Sequence, residues 1–211
     1  MAIIKSLTQQ VCDYIIEQIR YGKILFGDRV DENMLKEELG ISRTPIREAL
    51  IKLSTDGILV TIPRKGFFVR EMTEQDAIEV DGITGWLEMY VIELALPKMT
   101  EDDYALMERL IDEMEISIKN QDYAIYAEKQ KQFHDVYLNR TENKTLIKVY
   151  QQIQKDFIML TWFFRNKNQL FTVLDDTNQE HRQLLEDMRN GKLENAQKLV
   201  RKHFDRLIPS L

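Results

Sequence analysis

Three helical patterns in close succession, the last two separated only by a short glycine-containing segment, constrain the fold of this chain more than any other feature of its sequence. Apolar side chains recur at helical spacing over residues 6–21, and a short helix is predicted over about residues 32–39. Gly40-Ile41-Ser42 interrupts this pattern, and a further short helix follows at once, with Thr44 as its expected N-cap. Two short helices joined by such a tight turn predict a helix-turn-helix.

A β-hairpin is predicted directly after the last of these helices. Two short β-rich runs, residues 58–62 and 67–69, flank a turn at residues 63–66 that contains both proline and glycine. Arg64 and Lys65 are expected at the tip of this hairpin, where their charges suit the phosphate backbone or the minor groove of DNA. The segment is therefore predicted to be a wing beside the helix-turn-helix.

The second helix of the helix-turn-helix begins with side chains that suit duplex DNA. An α-helix fits in the major groove, and the residues at its N-terminal end are the ones that reach the base edges. Arg43 and Arg47 lie at that end, and a guanidinium can bind guanine or a phosphate with two parallel hydrogen bonds. The hydroxyls of Ser42 and Thr44 suit phosphate oxygens. The alternative is that both arginines are ordinary solvent-exposed residues of a surface helix.

The charge distribution along the chain favours a nucleic-acid contact in the same region. The protein has a formal net charge of -6, but residues 42–70 contain six basic side chains against Glu48 and Asp56, a local balance of +4. A basic segment on an acidic protein is typical of a polyanion-binding surface, although a short window also reaches such a balance by chance. The six basic residues are Arg43, Arg47, Lys52, Arg64, Lys65 and Arg70.

Composition excludes several other classes of protein. No apolar run approaches the roughly 20 residues that a membrane-spanning helix requires, and the first residues do not resemble a secretion signal. The single cysteine, Cys12, excludes an internal disulfide framework and suits a reducing compartment. The expected location is therefore the cytoplasm, with no membrane partner.

The stretch ENMLKEELGISRTPIREALIKLSTDGILVTIPRKGFFV resembles the winged helix-turn-helix domain of the GntR family of bacterial transcription regulators. The string SRTPIREAL, followed by L-x-x-DG-(I/L)-L and a basic wing, carries the resemblance over about residues 6–70. It implies DNA contacts from Arg43, Thr44, Arg47 and the wing tip Arg64-Lys65-Gly66. Asn33 occupies the position where relatives often place a phosphate-contacting Arg, so that contact is expected to be weaker here.

The remaining two thirds of the chain, residues 73–211, form a different predicted domain. From Thr73 the helical period continues almost without a break, and neither strand alternation nor a βαβ order is present in the sequence. Six helices are expected, of which the fourth extends to about residue 164 and the fifth covers about residues 177–189. The predicted fold is therefore mainly α. Residues 1–72 form a winged helix-turn-helix of three helices plus a small β-hairpin wing, followed by an all-α antiparallel helical bundle.

The first helix of the bundle is expected to bury one apolar stripe. The stripe consists of Val80, Ile83, Leu87, Tyr90, Val91 and Leu94. Trp86, like the aromatic residues 162–164, is expected in the ordinary core, with a ligand pocket or a dimer contact as the alternative. Gly82 and Gly85 each weaken the helix by roughly 1 kcal/mol relative to alanine, and so favour close packing or room for a ligand at that point.

All three histidines of the chain belong to the bundle, and each lies on an apolar helix face: His134, His181 and His203. A single histidine on such a face is usually a hydrogen-bonded core residue. Three that converge would form a ligand set for zinc, nickel or a similar cation. Spacing in the sequence leaves both interpretations open.

The strings FHDVYL and EHRQLLEDMRNGKLENAQKLVRKHF resemble the FCD effector domain of the FadR-type branch of the same family. Domains of this type often bind a divalent metal through one Asp and three His, beside a small carboxylate effector. The resemblance implies His134, His181 and His203 as metal ligands. Gln130 stands where the Asp is usual, and Thr84 stands about where relatives often present an effector-binding Arg. Both are therefore candidate metal or effector contacts.

The two departures weaken the implied site. An amide carries no charge, so metal affinity should be lower than with the usual Asp, and Zn or Ni remains only a candidate cofactor. Without the Arg a carboxylate effector is less strongly indicated, and Arg165 or Lys155 are the candidates to replace it.

The sequence thus predicts a metabolite-responsive transcription regulator that binds a short palindromic operator in double-stranded DNA as a homodimer. Dimerisation is expected because one winged helix reads too short a site. Its small-molecule effector is expected to be an organic acid or a related metabolite. The alternative is a metal-dependent enzyme built on the bundle and fused to a helix-turn-helix. No nucleophile–base motif, phosphate loop or His-Glu-x-x-His pattern accompanies the histidines, so no enzyme activity is predicted.

Overall fold

The computed structural model describes residues 5–20, 23–71, 73–156 and 167–205. The chain divides into two compact units, Met1–Thr73 and Glu74–Leu211. None of the helices in the described ranges is both long and apolar enough to cross a membrane.

The first unit contains the predicted helix-turn-helix and hairpin. Its helices are α1 (Leu7–Arg20), α2 (Glu32–Leu39) and α3 (Arg43–Thr55), and its strands are β1 (Arg29–Val30), β2 (Leu59–Ile62) and β3 (Gly66–Val69). The strands form one antiparallel sheet in the order β1-β3-β2, in which Phe68 lies between Arg29 and Val60. Strand β1 was not predicted because two residues are too few to show an alternating pattern. It extends the predicted hairpin to three strands.

The turn between α2 and α3 follows from local chemistry. The Asp31 side chain caps α2 by accepting hydrogen bonds from the backbone N–H groups of Asn33 and Met34. Gly40 ends α2 with φ 64°, a left-handed conformation that a residue without a Cβ adopts readily. The predicted N-cap of α3 is wrong by two residues. Ser42 occupies the cap position, and Thr44 lies inside the first turn of the helix.

The core of the first unit determines which face of α3 is exposed. Ile46, Ala49, Leu50 and Leu53 of α3 are buried, and α3 packs against α1 and α2. The opposite face of α3, which carries Arg43 and Arg47, is therefore exposed.

All the regular secondary structure in the described residues of the second unit is helical, as predicted. Its helices are α4 (Glu74–Ala95), α5 (Glu101–Lys119), α6 (Tyr123–Arg140), α7 (Lys144–Asp156), α8 (Lys167–Arg189) and α9 (Leu193–Asp205). A short 3-10 helix, Leu96–Lys98, follows α4. Helix α4 packs mainly against α9, and α5 packs against α6 and α8. Their shared core includes the fully buried side chains of Met107, Ile111, Tyr126 and Phe133.

Helix α8 begins at Lys167, ten residues before the predicted start at about 177. Leu170, Phe171 and Leu174 in this first part are buried, so packing against the bundle stabilises a segment that also contains β-branched Thr172 and Val173. The predicted extension of the fourth helix to residue 164, and the aromatic residues 162–164, lie outside the described residues.

The predicted apolar stripe of α4 is wrong in its first half. Ile83 and Tyr90 are 54% and 46% exposed, and Trp86, expected in the core, is 63% exposed. The buried face instead presents Asp81, Thr84 and Glu88 before the apolar Val91, Ile92 and Ala95. Apolar periodicity located the wrong face because the interior side of α4 contains polar groups whose partners lie on other helices.

Candidate functional sites

The side chains predicted to contact DNA are solvent-exposed. They are Ser42, Arg43, Thr44 and Arg47 on the segment that begins α3, and Arg64 and Lys65 on the turn between β2 and β3. Gly66, the last residue of the predicted wing tip, is half-buried with φ 107°. The first unit thus presents both predicted cationic groups, on the helix and on the wing, to solvent.

Asn33 restrains the first arginine of α3. Arg43 Nη2 donates a hydrogen bond to Asn33 Oδ1 at 2.8 Å, and the Asn33 backbone N–H is in turn bonded to Asp31 Oδ1 at 2.7 Å. The sequence predicted only a weaker phosphate contact at Asn33. In the structure it instead holds one end of the Arg43 guanidinium, leaving the other donors of that group available.

The wing tip has a backbone conformation that an arginine adopts at a cost. Arg64 has φ 65°, in the left-handed region where side chains with a Cβ are disfavoured. The backbone N–H of Lys65 donates to Ile62 O at 3.0 Å and closes the turn. A cation is thus held at the position of this turn where glycine or asparagine is usual.

The three predicted histidines come together in the interior of the second unit. His134 of α6, His181 of α8 and His203 of α9 are all buried, and one ring nitrogen of each lies within 4.8 Å of one ring nitrogen of the others. The ring centroids are 5.3 Å apart for His134 and His181, 4.9 Å for His181 and His203, and 5.9 Å for His134 and His203. This arrangement favours the ligand-set interpretation over three separate core residues.

Ring nitrogens without hydrogen-bond partners support the interpretation of the histidines as a ligand set. Among the described residues, four buried ring nitrogens have no hydrogen-bond partner: Nε2 of His134, Nε2 of His203 and both nitrogens of His181. Buried polar atoms are nearly always paired, because an unpaired one costs free energy relative to the unfolded, hydrated state. Three imidazoles in close proximity, each with at least one unpaired ring nitrogen, fit a divalent cation that takes nitrogen ligands.

Two carboxylates orient two of the rings. His134 Nδ1 is 3.0 Å from Glu88 Oε1, and His203 Nδ1 is 3.0 Å from Glu180 Oε2. A carboxylate accepts, so each Nδ1 carries the proton and each Nε2 presents its lone pair to the cluster. Neither acid was predicted from the sequence to belong to the site, although Glu180 directly precedes His181 and Glu88 lies one turn after Thr84.

Glu88 is a fully buried carboxylate with three donors. Besides His134, the hydroxyl of Tyr137 donates to Glu88 Oε2 at 2.6 Å, and the hydroxyl of Tyr150 donates to Oε1. Burial alone raises the pKa of Glu88, but the electrostatic attraction of the adjacent His134 ring and the three hydrogen bonds outweigh burial and hold this pKa below its ordinary value. The Glu88 side chain is therefore an ionised group in the interior.

Burial favours the neutral form of the His181 and His203 rings. Burial, reinforced by the neighbouring histidines, lowers the pKa of His181 well below its ordinary value. Burial also lowers the pKa of His203, and the hydrogen bond to Glu180 offsets this in part. Both rings are consequently in the neutral form at neutral pH, which is the state in which imidazole binds a metal.

The two further candidate contacts are Gln130 and Thr84. Gln130 is half-buried on α6, one turn before His134. Thr84 is buried, and its hydroxyl donates to Val80 O at 2.8 Å within α4, so its proton is already used by the helix. The side chains of Lys155 and Arg165, suggested as replacements for the missing effector-binding Arg, lie outside the described residues.

Both units of the chain match known protein families. Residues 7–69 match the family of bacterial regulatory proteins, gntR family, and residues 83–206 match the FCD domain. The chain belongs to the GntR family. It is a DNA-binding transcriptional regulator of the GntR/FCD type, and the family and its relatives are regulators rather than enzymes.

Alignments with individual relatives cover nearly the whole chain of this regulator. It is 30% identical to the uncharacterized HTH-type transcriptional regulator YdhC of Bacillus subtilis, over 93% of this chain and 87% of that protein. It is 25% identical to the probable D-xylose utilization operon transcriptional repressor of Paenarthrobacter nicotinovorans, over 97% of this chain and 88% of that protein. The structure of E. coli McbR/YncC shares the fold, with a TM-score of 0.81, 22% identity, and coverage of 96% and 95% of the two chains.

Proposed function

We propose that this GntR regulator is a homodimeric repressor whose affinity for a palindromic operator is controlled by a small molecule bound in the FCD domain. In this proposal residues 1–72 bind DNA, and residues 73–211 bind the effector and form the dimer. The observation that carries it is the cluster of three buried, inward-facing imidazoles in a domain that follows an exposed DNA-binding helix. Such a set of buried, unpaired ring nitrogens lowers stability unless a ligand pairs with them, and so supports a ligand site.

The DNA contacts are assigned to the two exposed cationic groups. Arg43 and Arg47 enter the major groove with the N-terminal end of α3 and read base edges. Ser42 and Thr44 bind phosphate oxygens beside them, and the wing tip at residues 64–66 contacts the backbone or minor groove. The exposure of these side chains supports the assignment.

The ligand site is assigned to the histidine cluster. His134, His181 and His203 hold a divalent cation, zinc or nickel, and Gln130 or Thr84 contacts either the metal or the effector. When bound, the cation supplies an electrophilic centre for an oxygen ligand, such as the carboxylate of an organic acid. The protein's own part is to bring three buried imidazoles within reach of one point and to keep those of His181 and His203 neutral.

The dimer contact is assigned to the exposed apolar face of α4. Ile83, Trp86 and Tyr90 follow one another at spacings of three and four residues, so they lie on one side of the helix, and all three are exposed. A contiguous apolar surface of this kind is typical of an interface. A second copy of the chain is the partner that a two-fold symmetric operator requires.

The experiment that tests control by a ligand uses the full-length protein and its own promoter region. Metal analysis and mass spectrometry of the purified protein identify the retained cation and small molecule. Calorimetric titration of that molecule is then carried out with and without operator DNA. Linkage requires operator and effector to change each other's affinity by the same factor, so equal effector affinities in both titrations contradict the proposal.

The dimer assignment has its own test. Trp86→Glu places a charge in the proposed contact and should convert the dimer to monomer at micromolar concentration in light scattering. Ile116→Glu on α5 is the matched control, because Ile116 is similarly exposed at 57% and lies outside the proposed face. A monomeric wild-type protein, or equal behaviour of both variants, would contradict the assignment.

A further inference from the structure

A dication held by three neutral imidazoles needs negative charge nearby, because the ligands themselves contribute none. The position one turn before His134 holds Gln130, and an amide cannot supply that charge. The described residues around the histidines nevertheless include two carboxylates, Glu88 and Glu180, and each is hydrogen-bonded to one of the rings.

We propose that Glu88 and Glu180 are the positioning and charge-balancing groups of the histidine site, and that they act through His134 and His203 instead of binding the metal directly. This inference rests on metal binding by the histidines, which is part of the function proposed above. It assigns the missing negative charge to residues on α4 and α8 rather than to position 130.

The first support is the matching geometry of the two pairs. In each pair a carboxylate oxygen lies 3.0 Å from Nδ1, while Nε2 of the same ring is buried and has no partner among the described residues. The hydrogen bond fixes the ring in one orientation and one tautomer, so the lone pair of Nε2 is directed away from the carboxylate. Carboxylate partners of this kind also make the ring nitrogen a stronger donor to a metal.

The second support is the charge balance. One dication and the two carboxylates sum to zero, whereas the metal with Gln130 alone would leave two uncompensated positive charges in a buried site. Glu88 is fully buried, and its carboxylate accepts hydrogen bonds from His134, Tyr137 and Tyr150. A buried ionised group is costly unless it is compensated, so a cation at the histidines and the Glu88 carboxylate stabilise each other.

The tautomers give a test that does not require metal. Nitrogen-15 NMR of histidine-labelled, metal-free protein at neutral pH should show the Nδ1–H tautomer for both His134 and His203. Replacing the matching acid, by Glu88→Gln for His134 or Glu180→Gln for His203, should weaken this preference at that ring only. His181, which has no partner at either nitrogen within the described residues, is the internal comparison.

The affinity test uses zinc alone, in competition with a chromophoric chelator. Glu88→Gln and Glu180→Gln should each reduce zinc affinity about 10–100-fold, the usual effect of losing a partner behind a metal-binding histidine. Glu93→Gln on α4 and Glu186→Gln on α8 are matched controls, because both acids are exposed on the same helices. Glu180 is less buried than Glu88, so its variant keeps the test valid if Glu88→Gln does not fold.

Adding a negative charge at position 130 tests whether the carboxylates act through their charge or through their shape. Gln130→Asp should increase zinc affinity in the wild-type protein and should increase it by a larger factor in the Glu180→Gln background, where one negative charge is missing. Equal zinc affinities for wild type and both Gln variants, or Nε2–H tautomers at both rings, would overturn the role of the carboxylates and leave the metal site intact. No zinc binding by the wild type would remove the metal site and this role together.

Discussion

Arg43, the first residue of α3, and Asn33, in the first turn of α2, are joined by a hydrogen bond of 2.8 Å from Nη2 to Oδ1. The two helices of the helix-turn-helix therefore share a contact on their exposed side, next to the predicted DNA-binding end of α3. An unrestrained arginine has many rotamers, and holding one nitrogen reduces the entropy lost when the other nitrogens bind a base.

The first prediction concerns this pair. Asn33→Ala should weaken operator binding by about 0.5–1.5 kcal/mol, the usual contribution of one hydrogen bond. The same substitution should have little further effect in an Arg43→Ala background, because the two residues act as a unit. Fluorescence anisotropy with labelled operator gives the four affinities, and Met34→Ala, a neighbouring exposed position, is the control. Fully additive losses would show that Asn33 does not act through Arg43.

The second prediction concerns Arg47. Arg47→Ala should reduce operator affinity by about 1–3 kcal/mol and relax the base preference at one position of each half-site, because it removes a base-reading guanidinium. Binding selection from a randomised operator measures both effects. An unchanged sequence preference would place α3 outside the major groove.

The third prediction concerns Lys65 on the wing. Lys65→Ala should weaken binding to all DNA sequences similarly and reduce the slope of log K against log salt by about one, since one phosphate contact is lost. Affinities at several salt concentrations, for operator and for unrelated DNA, measure this. Lys198→Ala is the control, because Lys198 is an exposed cation of the second unit. An unaltered salt slope would argue against a phosphate contact from the wing.

The fourth prediction concerns Arg64, whose φ of 65° is unfavourable for a residue with a Cβ. Arg64→Gly should raise the free energy of unfolding by up to about 1 kcal/mol by relieving this conformation, and should lower DNA affinity by removing a cation. Arg64→Ala should lower DNA affinity equally without the gain in stability. Chemical denaturation and operator titration of both variants measure the two effects. Equal stabilities of the two variants would show that the turn is not strained.

The fifth prediction concerns His181, which has two unpaired ring nitrogens in the interior. His181→Leu should increase the stability of the metal-free protein by about 1–3 kcal/mol, because it removes buried unpaired polar atoms. The same substitution should abolish any stabilisation by added zinc. His134→Leu should destabilise the metal-free protein instead, since it takes a hydrogen-bond donor from buried Glu88. Urea unfolding with EDTA and with zinc distinguishes these outcomes, and a less stable His181→Leu protein in EDTA would contradict the prediction.

The sequence by itself determined the local structure of the first unit and the identity of the three histidines. The glycine at position 40 and the periodicity of apolar side chains act over a few residues, so a linear pattern contains the information. The helix-turn-helix, the hairpin and the all-helical second unit were predicted correctly for that reason.

Only the tertiary structure decided which side chains complete the histidine site. Glu88 lies 46 residues before His134, and Glu180 lies 23 residues before His203, so no local pattern links either acid to its imidazole. The buried face of α4 was misassigned for the same reason. A polar side chain is stable in the interior when its partners come from other helices, and hydrophobic periodicity counts such a residue as exposed. Long-range hydrogen bonding, rather than local propensity, therefore determines the interior of this domain.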